Sequence, residues 1–205
     1  MAENGRPGDG TTIEIVAAKG VAGRLLCFFV EGVYLPVNTG GTLKEMICDQ
    51  LGVAEEYFEK RVQTIFLNFK AVDKPDKALV KDGAIIALSA AMPGLVGATM
   101  RKGGAYAALR SSISFSETDD DIEQRRGWIT LKLLNMVARE LGPLFFAKGV
   151  YLMDEKVVSL FKSRVSEFKN EHWEVILNGK TVSWEQVIEM KLSDKKVYFK
   201  VSARQ

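Results

Sequence analysis

Apolar and polar residues alternate over Thr12 to Ala18 (TIEIVAA), the two-residue period of a strand with one buried face. Arg24 to Val30 (RLLCFFV) is largely apolar and reads as a second strand entering a glycine turn at Gly32. The period then changes. Leu43, Met46, Ile47 and Leu51 recur at helical spacing, behind a T-x-x-E capping box made by Thr42 and Glu45 and ahead of Gly52, which is placed to end the helix. Thr64 to Phe69 (TIFLNF) and Ala84 to Ala90 (AIIALSA) are strand-like again.

The second half repeats the plan. Trp128 to Leu134 (WITLKLL) alternates, Met136 to Gly142 (MVARELG) suggests a short helical turn, and Phe145 to Leu152 (FFAKGVYL) reads as the second strand. Asp154 is placed to cap a helix whose Val157, Val158, Phe161, Val165 and Phe168 form one stripe. Trp173 to Trp184 (WEVILNGKTVSW) reads as a hairpin whose Asn178 and Gly179 supply the two positive φ angles of a type I′ turn, and Lys196 to Ala203 (KVYFKVSA) closes the chain. A rival reading makes Asp119 to Leu141 one long helix, because Ser116 and Asp119 fit a cap and Ile129, Leu133, Val137 and Leu141 fit a stripe. The period-two alternation and an internal repeat favour the strand.

That repeat is carried by three segments in the same order. FFVEGVYL (Phe28 to Leu35) returns as FFAKGVYL (Phe145 to Leu152), FLNFKAV (Phe66 to Val72) as ILNGKTV (Ile176 to Val182), and the Ser-Ala end of IIALSA (Ile85 to Ala90) as that of YFKVSA (Tyr198 to Ala203). Phe69 stands where Gly179 does, so the first turn is expected to be looser or differently placed.

Between Gly83 and Met100 no side chain is charged, close to the roughly 17 residues of a membrane span. Pro93 and the glycines at 94 and 97 break the run, which favours a buried strand followed by a loop. Gly94, Gly97, Arg101, Lys102, Gly103 and Gly104 suit either an anion-binding nest of glycine N–H groups beside two cations or a flexible linker. The linker continues through a basic and then an acidic stretch, Glu117 to Glu123, expected to be solvated.

Composition narrows the function classes. A net charge of +2 is too small for a strong nonspecific hold on nucleic acid. Two cysteines, Cys27 and Cys48, make no disulfide framework and suit the cytoplasm. His172 is the only histidine, with no cysteine pair at metal spacing, so no metal site, catalytic constellation or cofactor is expected.

Two strands, a helix and further strands within each half follow the β-grasp order. ITLKLLNMVARELG and VILNGKTV in the second half, with IFLNFKAV and VKDGAIIALSAAMPG in the first, resemble the ThiS and MoaD sulfur-carrier family of ubiquitin-like proteins. The resemblance implies an α+β fold of two tandem β-grasp (ubiquitin-like) modules, each a mixed sheet packed on one helix. The boundaries are then a tail at 1–11, module 1 at 12–92, a glycine-containing linker at 93–127 and module 2 at 128–205. It also implies a carrier tail at Gly103 and Gly104, or at Gly94, whose free carboxylate an activating enzyme would modify. No glycine is terminal here, so a carrier would need cleavage. The sequence therefore points first to a non-catalytic interaction or accessory protein, with a protein partner such as an activating-enzyme-like or biosynthetic enzyme and no membrane or nucleic acid. A proteolytically matured carrier comes second, and an enzyme third.

Overall fold

A computed structural model describes residues 10–17, 20–115, 123–169, 173–190 and 195–204. Among these the fold is mixed α/β, with ten strands and seven α-helices. The strands are β1 (Thr12–Ala17), β2 (Val33–Thr39), β3 (Thr64–Leu67), β4 (Lys70–Ala71), β5 (Ile85–Ser89), β6 (Arg125–Leu134), β7 (Val150–Met153), β8 (Glu174–Leu177), β9 (Lys180–Val182) and β10 (Lys196–Ala203). The helices are α1 (Cys27–Glu31), α2 (Leu43–Glu45), α3 (Glu55–Arg61), α4 (Gly94–Met100), α5 (Asn135–Lys148), α6 (Asp154–Lys169) and α7 (Trp184–Ile188). The chain folds as two compact units, a central one of Phe29–Leu141 and a terminal one of Met1–Phe28 with Gly142–Gln205.

The sheet of the central unit runs β4-β3-β5-β6-β2. β5 and β6 are parallel, and every other pair is antiparallel. Alternation puts Ile65, Leu67, Ile86, Leu88, Leu131 and Leu133 on the buried face. Leu43, Met46 and Ile47 cover that face from α2 and the π-helical turn that continues it. The capping box forms as the sequence suggests: Glu45 N–H donates to the Thr42 hydroxyl at 3.3 Å, and Thr42 N–H donates to the Glu45 carboxylate at 2.9 Å. Gly52 follows at φ 72°.

In the terminal unit the order is β7-β10-β1-β8-β9, again with one parallel pair, β1 with β10. Its core gathers Phe28, Phe146 and Phe161 around Phe199, with ring centroids 5.6, 5.8 and 6.4 Å away. Val157 and Val158 of α6 are buried as expected, while the side chains of Val165 and Phe168 lie outside the described residues. A second capping box, Ser183 with Gln186, opens α7, which the sequence reading did not anticipate.

Four expectations change. Arg24 to Val30 is not a strand: Val21–Leu25 forms a 3₁₀ turn and Cys27–Glu31 is α1. A short apolar run carries no period that separates helix from strand. Likewise Phe145 to Lys148 ends α5, which continues through Gly142 and Pro143, so strand begins only at Val150. The repeated Gly-Val-Tyr-Leu is thus a helix terminus and a strand start. Gly32 (φ 111°) and Gly149 (φ 94°) take the left-handed conformation that ends a helix, and a Cβ on Gly149 would strike the Tyr198 ring.

The third change is the strand over Trp128 to Leu134, which is present but begins earlier, at Arg125, within the segment expected as linker. The fourth concerns the division of the chain. Both units draw on both expected modules: β1 belongs to the terminal unit and β6 to the central one. Long-range strand pairing supplies the reason: β6 pairs with β5 and β2, and β1 with β10 and β8, whatever their order along the chain. The uncharged run from Gly83 to Met100 divides between β5 and the seven-residue α4. Among the described residues no helix is long and apolar enough to cross a membrane.

Candidate functional site

The candidate tail and nest residues lie on an ordered arm of the central unit, formed by α4 and a 3₁₀ segment, Ala107–Ile113. Gly94 opens α4 at φ 73° and is exposed, whereas Gly97 is buried where a Cβ would collide with the Met92 carbonyl. Lys102 N–H donates to the Gln63 carbonyl at 2.7 Å. Its ammonium meets Glu59 at 3.1 Å and stands 5.0 Å over the Phe58 ring. That hydrogen bond from Lys102, ahead of the adjacent Lys44, holds the Glu59 carboxyl below the usual carboxylate range.

Gly103 N–H does face an anion, and the anion is internal. It donates to Asp73 Oδ1 at 2.8 Å, and the same oxygen accepts from Arg110 Nη2 at 2.6 Å. Arg110 is 2% exposed and is otherwise held by the Thr99 carbonyl at 2.7 Å and the Ser114 hydroxyl at 2.9 Å. Gly104 N–H donates to the Arg101 carbonyl at 3.1 Å. Arg101 itself is exposed, with no side-chain hydrogen-bond or ion-pair partner among the described residues. The arm is therefore clamped, not loose, because a guanidinium removed from water needs a full set of acceptors. His172 lies outside the described residues. Among those described, no group of three His, Cys, Asp or Glu is placed to hold a metal ion.

A second feature, missed from sequence, is the outer face of the central sheet. Leu67 and Lys70 pair across a two-residue turn with Asn68 at φ 48° and Phe69 at φ 68°. The turn is neither looser nor displaced. It matches that between Leu177 and Lys180, where Asn178 is at 50° and Gly179 at 78°. Each asparagine makes the same clamp: Asn68 Oδ1 accepts from Ile85 N–H and Asn178 Oδ1 from Thr12 N–H, both at 2.8 Å. The clamp holds Phe69 in a backbone region that a bulky side chain adopts only under strain. The ring gains no burial from it and is 76% exposed.

Beside that ring is an apolar groove of about 220 Å³, lined by Phe66, Phe69, Ile85, Ala87 and Lys132. Phe66, Ala87 and Lys132 form one cross-strand row. The same row in the terminal unit is Ile176, Glu14 and Lys200, so a carboxylate stands where Ala87 does, and Lys200 meets it at 3.5 Å. Lys132, like Lys70 at the edge, has no side-chain hydrogen-bond or ion-pair partner among the described residues. Comparison with protein-family models, with curated proteins and with solved structures finds no match.

Proposed function

We propose that this chain is a non-catalytic protein-interaction or accessory protein, built from two β-grasp-like modules, whose contact surface is the outer sheet face around Phe69. The observation that carries the reading is Phe69 itself. Its left-handed backbone costs about 1–2 kcal/mol against glycine, and its ring lies mostly in water. A cost without an internal return is the pattern of a residue kept for what it touches outside the chain. The neighbouring apolar groove and the exposed Leu95, Val96, Tyr106 and Leu109 of the arm support it. The β-grasp reading draws on the central parallel pair, the flanking antiparallel strands and the tight hairpin common to both units.

A photo-crosslinking aromatic placed at position 69 in the native cell is expected to give a discrete protein adduct, and the same group at position 179 none. Absence of an adduct at 69 removes the reading. A sulfur carrier would need Gly104 or Gly94 at a chain end. Cleavage after Gly104 would separate Asp73 from Arg110 along the chain, although the two are joined by an ion pair whose guanidinium is buried. Intact mass of protein isolated from its own cell decides: a fragment ending at either glycine, with sulfur replacing a carboxylate oxygen, would favour the carrier.

A further inference from the structure

We infer that the partner of this face presents one large apolar side chain next to a carboxylate, the side chain filling the groove and the carboxylate pairing with Lys132. The inference rests on the interaction reading above. A groove of about 220 Å³ falls below the ~300 Å³ at which drug-sized ligand pockets begin, and its size suits a single side chain. Phe66, Phe69 and Ile85 offer that side chain apolar and aromatic walls.

The charge argument comes from the two equivalent rows. Lys200 of the terminal unit has Glu14 as its cross-strand neighbour, and Glu14 also accepts from the Ser202 hydroxyl. That row satisfies itself. Lys132 has Ala87 in the same register, so its cross-strand neighbour offers no carboxylate, and Lys70 beside Phe69 is a second cation with no side-chain partner among the described residues. A partner carboxylate would occupy at Lys132 the place that Glu14 occupies at Lys200. A basic or uncharged segment would fill the groove and leave both ammonium groups unanswered.

Fluorescence anisotropy with three labelled peptides in a Gly-Ser background tests this: one Leu flanked by Glu, one Leu flanked by Lys, and one Ala flanked by Glu. The Glu-flanked Leu peptide should bind tightest and weaken as salt rises. Ala87→Glu, which supplies the carboxylate internally, should abolish binding, while the isosteric Ala87→Gln, which takes up the same groove space without the charge, should lose less of it. Lys132→Gln should weaken binding about 1.4- to fivefold, and Phe69→Gly should lose it with the thermal midpoint raised. Equal binding of the Lys-flanked peptide, or indifference to Ala87→Glu, overturns the carboxylate while leaving the adduct at position 69 intact. No binding by any of the three peptides also overturns the inference; if the adduct is missing as well, the interaction reading falls with it. Concentration-dependent dimerisation of the wild type, relieved by Phe69→Gly, would overturn it in favour of a second copy of this chain.

Discussion

The two units carry the same hairpin turn, and only one of them fills it with a residue suited to it. In the terminal unit Gly179 takes its positive φ freely, and the sheet face beside it is polar and internally paired, Glu14 with Lys200 and Ser202, and Glu174 with Thr181 and Arg204. The central unit places Phe69 in the same conformation, gives Lys132 no side-chain partner among the described residues and exposes an apolar groove. Backbone geometry is therefore common to both, and the outer face is what distinguishes them. A turn with an identical clamp but a strained aromatic separates what the fold requires from what a partner requires.

The largest expected effect probes what only the central unit has, the clamped arm. Arg110→Ala removes the buried guanidinium and its charged hydrogen bond to the half-buried Asp73 carboxylate and should cost about 2–3 kcal/mol, measured by urea unfolding. A cost below half that would mean the arm contributes little to the unit it lies on. Exchanging the turn residues comes next. Gly179→Phe should destabilise by about 1–2 kcal/mol and Phe69→Gly should stabilise by a similar amount, since a Cβ at Gly179 meets no neighbouring atom and only the backbone strain changes. A destabilised Phe69→Gly would show that the ring is held by the chain itself and break the comparison.

Asn68→Ala and Asn178→Ala should each cost about 1 kcal/mol and speed amide exchange at Ile85 and Thr12 respectively. Unequal costs would mean that the two clamps are not equivalent. The smallest effect is electrostatic. Glu59 is held below the usual carboxylate range, mainly by its hydrogen bond from Lys102, so its stabilising contribution is complete above that range and fades as pH falls through its lowered value. In Lys102→Met an NMR titration should find Glu59 closer to its ordinary value.

One helix start and one turn were legible because they are written in neighbouring residues. Thr42 and Glu45, or Asn178 and Gly179, lie within three positions of each other, and their bonds form in the folded chain as their spacing suggests. The short apolar runs before Gly32 and Gly149 were misleading, since neither strand nor helix imposes a period on so few residues. Gly103 read as either linker or part of a nest for an external anion because Asp73, thirty positions away, gives no local sign that it will accept from its N–H. The groove was invisible for the same reason: Phe66, Ala87 and Lys132 meet only through strand register.

By itself, then, the sequence determined the period-two alternation of several strands, the Thr42 and Glu45 cap and the Asn178-Gly179 turn, all governed by interactions over a few residues. The tertiary structure alone decided which strands share a sheet, so that β1 joins the terminal unit and β6 the central one. It also decided that Phe69, standing where Gly179 does, would take the same left-handed conformation and remain exposed. Strand partnership depends on long-range pairing that chain connectivity leaves open, and a side chain's exposure depends on what that pairing brings beside it.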